Sequence, residues 1–190
     1  MRLFFALDIA PAIRAALTAY VDNLRRVPGI RFMPPESYHV TLKFLGEVKD
    51  LDRVQQAAGT VRASSFDISF REAGFFPNAR APRVFWAGIH ADDRLPALAS
   101  ALDEALVIAG FAREERPFRP HLTLARSGSG SPSPSRDERP VAGFGGLVTA
   151  VAENRPPEFG TMAASEFFLY ESKLSPRGAQ YTKLARYPLT

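Results

Sequence analysis

Cysteine is absent from the 190 residues, histidine occurs three times and tryptophan once. Without cysteine there is no disulfide, no thiolate nucleophile, no Cys-ligated zinc and no Cys-held iron–sulfur cluster. Three histidines leave little material for a histidine-rich metal site, and their wide separation supplies no local ligand spacing. No uncharged stretch approaches the roughly 20 residues of a membrane helix, and Asp8 interrupts the apolar opening MRLFFALDIAP. Gly-x-x-x-x-Gly-Lys-Ser/Thr, Gly-x-Gly-x-x-Gly and Gly-x-Ser-x-Gly motifs are also missing, so ATP-driven ligation and serine hydrolysis lack their usual machinery.

What is present suits a globular chain. Hydrophobic residues make up 46%, charged residues 23%, and 15 phenylalanines supply material for a substantial core. Lys+Arg 24 against Asp+Glu 20 gives +4, which permits a nucleic-acid partner without demonstrating one. The length fits one domain or two fused lobes, and the expected location is the cytoplasm.

Residues 3–9 read as a buried strand, and Pro11 opens a helix over 11–26 whose apolar face is Ile13, Leu17, Tyr20, Val21 and Leu24. Residues 38–46 alternate as a strand. Simple alternation sends Val40, Leu42 and Phe44 into a core and His39, Thr41 and Lys43 to the opposite face. Asp50 is placed to cap a helix over 51–63, residues 66–70 form a strand, and residues 84–89 another. Leu98, Leu102, Ala105, Leu106 and Ala109 give the next helix its stripe, and Gly110 stops it.

A second motif strand, 120–126, puts His121, Thr123 and Ala125 on one face and Leu122, Leu124 and Arg126 on the other. Residues 127–140, SGSGSPSPSRDERP, read as a low-complexity surface loop. Residues 141–152 fit either strand or short helix. Residues 166–170 read as a strand, 171–178 as a turn and 181–187 as a last strand.

The two His-x-Thr strands lie 82 residues apart, close to half the chain, each after a strand, a helix and a Phe/Pro segment. With 8 threonines in 190 residues, a given histidine meets one two positions later at about a 4% rate, and two of three do so at roughly 0.5%. The pairing offers two imidazoles for proton transfer and two hydroxyls for nonbridging phosphate oxygens. If the halves face each other, one histidine takes a proton from the attacking oxygen and the other gives one to the leaving oxygen. Satisfied interior histidines and ordinary strand threonines are the bland reading of the same residues.

His90 has no threonine partner and reads as structural or exposed. Lys43, Arg119 and Arg126 flank the motifs, with Arg80 and Arg83 before the Trp86 strand; each could steer an RNA phosphate or simply be solvated. Alternation argues against Arg126 reaching the histidine face, although a bulge would turn it there. Phe5, Phe118, Trp86 and Tyr181 suit base stacking and core packing alike.

The segments RLFFALDIA from Arg2, YHVTLKFLGEV from Tyr38, RVFWAGI from Arg83, FRPHLTLAR from Phe118 and ESKLSPRGAQYTKLARYPL from Glu171 together span nearly the whole chain. On them the chain resembles the two-histidine phosphoesterase superfamily and, within it, the RNA 2',3'-cyclic phosphodiesterases historically called 2'-5' RNA ligases. The resemblance implies an α+β, bilobal, pseudo-twofold fold in a single domain, with two antiparallel sheets, outer helices and a central cleft. It implies His39 and His121 as catalytic residues and Thr41, Thr123 and Arg126 as phosphate ligands, while Lys43, Arg119, Phe5 and Tyr181 stay candidate RNA contacts on their charge or aromatic character alone. No metal or other cofactor is expected. His39 would protonate the departing 3' oxygen and His121 would activate water, leaving a 2'-phosphate, while attack by an RNA 5'-hydroxyl would make a 2'-5' linkage. Expected partners are RNA ends bearing a 2',3'-cyclic phosphate, including tRNA fragments, or small cyclic nucleotides, with a monomer acting away from membranes. The competing readings are a cyclic phosphodiesterase for a small nucleotide or an ADP-ribose cyclic phosphate, and a noncatalytic RNA-end binding module.

Overall fold

The first strand shows how the chain builds its centre. In β1 (Arg2–Leu7) every residue after Arg2 is buried, because the strand lies between two others and is covered on both faces. The computed structural model describes residues 1–127, 143–175 and 178–190. After β1, Pro11 starts α1 (Pro11–Leu24), which buries Ile13, Leu17, Tyr20, Val21 and Leu24 as its spacing requires. Then come β2 (Arg31–Phe32), a single 3-10 turn (Pro35–Ser37) and β3 (Val40–Glu47). The Asp50 side chain accepts from the Arg53 N–H at 3.0 Å and caps α2 (Leu51–Gly59). The chain continues through β4 (Phe66–Phe76), β5 (Val84–His90), α3 (Arg94–Ile108), β6 (His121–Arg126), α4 (Phe144–Glu153), β7 (Gly160–Ala164), β8 (Glu166–Ser175) and β9 (Gly178–Pro188).

The strands form two antiparallel sheets, ordered β3-β1-β8-β9 and β2-β6-β5-β4-β7. In each, the strand carrying a His-x-Thr motif lies beside the strand that feeds a helix: β3 beside β1 before α1, and β6 beside β5 before α3. The architecture is bilobal α+β, with helices flanking both sheets.

Several boundaries differ from those read off the sequence. α1 stops at Leu24 and α2 at Gly59, while β4 runs on to Phe76. The segment expected to turn at 171–178 instead continues β8 through Ser175, paired along its length with β9. β7, GTMAA, has too little β-branched or aromatic content to stand out, and it forms by completing the edge of β4. The ambiguous stretch is helical from Phe144, where Phe144, Leu147, Ala150 and Val151 fall on one buried face. The loop reading of 127–140 lies, beyond Ser127, outside the described residues.

The sharpest departure is in the motif strands. Ala6 faces Thr41 but Phe5 faces Lys43, leaving Leu42 as an extra residue; Trp86 faces Thr123 but Phe85 faces Ala125, leaving Leu124 extra. Each slip comes three residues after the motif histidine. A one-residue slip exchanges the two faces of a strand. Lys43 and Ala125 therefore turn inward, while Phe44 and Arg126 come to the histidine side.

Candidate active site

Both histidines are held in the same way. His39 Nδ1 lies 2.7 Å from the Ser37 carbonyl oxygen, and His121 Nδ1 lies 2.7 Å from the Arg119 carbonyl oxygen. A carbonyl only accepts, so Nδ1 carries the hydrogen and Nε2 is the nitrogen left for chemistry in each neutral ring. Aromatic rings hold the imidazoles from the side. Phe4 lies 4.8 Å from the His39 ring and Tyr181 meets it edge-on at 5.2 Å, while Phe76 meets the His121 ring edge-on at 5.0 Å.

Thr41 and Thr123 stand two residues beyond their histidines, half-buried, with β-strand alternation keeping each hydroxyl on its histidine's face. The Leu124 slip brings the exposed Arg126 back to that face, where its guanidinium donates to Thr123 Oγ1 at 3.4 Å. Burial pushes His39 down to about 4. The hydrogen bond to Ser37 opposes this, Arg126 adds to it, Asp8 opposes it, and His121 adds a last downward push. His121 is lowered too, by burial first and also by Arg126, with its bond to Arg119 opposing. Both rings are thus neutral near pH 7 in the free protein, and Asp8 is an ionic neighbour that favours protonation of His39. Two hydrogen-bonded imidazoles with free Nε2 atoms, flanked by hydroxyls and a guanidinium, can exchange protons on either side of a bound phosphate.

The profile of the family described as LigT like Phosphoesterase matches residues 7–86 and 89–181. The chain belongs to that family. Among LigT-like relatives, the RNA 2',3'-cyclic phosphodiesterase of Archaeoglobus fulgidus is 34% identical over 97% of this chain and 98% of its own length. That of Methanothermobacter thermautotrophicus is 34% identical over 100% of this chain and 99% of its own. The crystal structure of E. coli LigT complexed with 3'-AMP superposes with a TM-score of 0.76 at 29% identity, covering 100% of this chain and 98% of that one.

In this LigT-like chain His39, Thr41, His121, Thr123, Arg126 and Tyr181 gather on the cleft side. Two expected RNA contacts, Lys43 and Phe5, do not reach it through their side chains. Lys43 is 5% exposed, turned inward by the Leu42 slip, and its ammonium donates to Asp103 of α3 and to the Ala112 carbonyl at 2.9 Å. Phe5 is fully buried in the main core against Phe167 and Tyr187. Arg119 serves through its carbonyl, with an exposed side chain.

Four cleft residues escaped the sequence reading. Phe4 belongs to a run buried on both faces, where alternation cannot say which side matters. Phe44, 57% exposed beside Phe4, stands 82 residues before Arg126 and was hidden by the same slip. Comparing the halves position by position, rather than motif by motif, would have paired the two. Phe76 and Asp8 carried no signal beyond their residue type. Among the described residues no group of three or more His, Cys, Asp and Glu side chains could hold a metal ion, and no helix is long and apolar enough to cross a membrane.

Proposed function

We propose that this chain is an RNA 2',3'-cyclic 3'-phosphodiesterase, opening a terminal cyclic phosphate to a 2'-phosphate by His/His acid–base catalysis without metal or nucleotide cofactor. One observation carries the reading: two histidines with Nδ1 committed to carbonyls and Nε2 free, set on matching strands with a guanidinium beside them. His121 Nε2 takes a proton from water as its oxygen attacks phosphorus. The P–O3' bond breaks in line, and His39 Nε2–H gives its proton to O3'. Arg126 repels a proton at both histidines, and the difference between them is Asp8, whose charge favours the protonated form of His39. The phosphate anion raises both imidazoles as it binds, which lets His39 arrive charged.

Thr41 and Thr123 donate to nonbridging oxygens, and Arg126 pairs with the phosphate as charge builds in the transition state. Phe44 offers an exposed face for the terminal base. If an RNA 5'-hydroxyl replaces water at His121, the same steps leave a 2'-5' linkage. One chain supplies both histidines, so a monomer suffices, and we place it in the cytoplasm; sedimentation and cell fractionation check these two points.

The test is incubation of the purified protein with 2',3'-cyclic-ended RNA in chelator, with identification of the product end. A 2'-phosphate is expected, and an unopened ring would sink the reading. His39→Ala and His121→Ala should each lower turnover by about 10²- to 10⁴-fold, the usual contribution of a general acid or base.

A further inference from the structure

A cavity of about 430 Å3 opens beside His39, walled by Asp8, Arg14, Ser37, Tyr170, Tyr181 and Lys183. We propose that it holds the nucleotide 5' to the reacting end, its phosphate facing Lys183 and Arg14, so that the Lys183 contact to this internal phosphate sets how strongly a chain is favoured over a free cyclic nucleotide. The inference rests on the cyclic phosphodiesterase reading and specifies its substrate.

In-line displacement decides which side of the cleft the RNA occupies. The nucleophile enters on the His121 side, so O3', its ribose and everything attached 5' to that ribose lie on the His39 side. The cavity is the space next to His39. Its volume falls within the roughly 300–1,000 Å3 of small-ligand sites, room for one nucleotide unit.

Its chemistry fits such a unit. Asp8 accepts from the Ile9 N–H at 2.9 Å, Arg14 at 3.0 Å and Lys183 at 2.6 Å, so two cations are drawn to one carboxylate. The Arg14 guanidinium is fixed further by the Pro35 carbonyl, and the Lys183 ammonium lies 3.9 Å from the centre of the Phe168 ring. Both cations are held in place before a ligand arrives, and the Lys183 side chain stays 44% exposed. Glu36 also lines the cavity, making two charges of each sign. Asp8 already takes one bond from each cation, so the site suits a single phosphodiester approaching the exposed side of Lys183 better than a long polyanionic run. Tyr181, half-buried at the cavity wall, supplies the aromatic surface for the nucleoside.

The experiment compares kcat/KM for a 2',3'-cyclic mononucleotide and for a dinucleotide with the same cyclic 3' end. Wild type should favour the dinucleotide by about tenfold or more, the size of one charge-assisted contact. Lys183→Met should shrink that ratio toward one and Lys183→Arg should keep it. A dinucleotide with a neutral methylphosphonate internal linkage tests the same contact on the unaltered protein and should also lose the preference. Equal kcat/KM for the two natural substrates, or a ratio that survives both Lys183→Met and the methylphosphonate, would overturn the subsite while leaving the catalytic reading intact. Turnover of neither substrate would remove both.

Discussion

Each motif histidine spends its Nδ1 hydrogen on a carbonyl two residues earlier, which fixes both the tautomer and the direction of Nε2. The consequence at the scale of single residues is measurable by NMR of the imidazole Cε1–H signals. In the free protein the His39 midpoint is expected near 4, where burial has pushed it. Saturation with a nucleoside 2'-phosphate should raise that midpoint by at least about one pH unit, since an adjacent anion favours imidazolium. A midpoint that stays put would mean the phosphate does not sit against His39. Arg126→Lys makes a second test, because an ammonium keeps the charge but loses the planar two-pronged contact; about a tenfold or larger fall in kcat/KM is expected on cyclic-ended RNA, against near-wild-type turnover if charge alone matters. Individual residues were legible where local rules held. His39, Thr41, His121 and Thr123 followed from two motifs at matching positions, whereas Lys43 and Phe44 were assigned to the wrong faces by the slip at Leu42. Alternation reads a strand as continuous, and a bulge leaves no mark in composition.

Between elements, the misread Lys43 joins the two halves. It leaves β3 to meet Asp103 on α3, and the same carboxylate accepts from the Glu114 N–H at 3.0 Å, while the ammonium donates to the Ala112 carbonyl at 2.9 Å. The strand of the first motif is thereby tied to the segment that leads into the second. Burial alone would raise the Asp103 carboxyl, but the hydrogen bonds from Lys43 and Glu114 outweigh it and hold it below its ordinary value. Lys43→Met removes that carboxylate's main partner, leaving it the Glu114 N–H and Arg113 at 3.6 Å, and should cost about 1–3 kcal/mol in urea unfolding. The double variant Lys43→Met/Asp103→Leu should recover most of the loss, because removing both charges also removes the desolvation they suffer. A double variant as unstable as the single one would show that the pair itself, rather than an orphaned charge, is what the fold requires. At this scale the sequence was readable where amphipathic spacing was strong, as in α1 and α3. It was not readable where pairing extends a strand beyond its own propensity, as in β7 and the far ends of β4 and β8.

Over the molecule as a whole, the two-lobed plan was visible as a pattern repeated at half the chain length, and it has a thermodynamic price in acid. Folding encloses His39 and His121 in a cleft that keeps them neutral, whereas the unfolded chain exposes them to protonation near 6.5. Below that pH the unfolded state binds more protons than the folded one, so stability falls as pH drops. For His39 the decline runs from about 6.5 down to about 4, and a displacement of that size corresponds to roughly 3 kcal/mol at ~1.4 kcal/mol per pH unit. His121 adds to the loss in the same direction. Asp103 behaves oppositely in kind: its depressed carboxyl contributes stability above its ordinary 3.8, and that contribution goes only as pH falls further through its folded value. Two acid limbs are therefore expected, with the histidines acting first. His39→Asn separates them, since the Asn side-chain amide can still donate to the Ser37 carbonyl but does not titrate. In urea unfolding between pH 7 and 4, wild type should lose about 3 kcal/mol more than the variant. Parallel curves over that interval would show that His39 is not held neutral by the folded cleft.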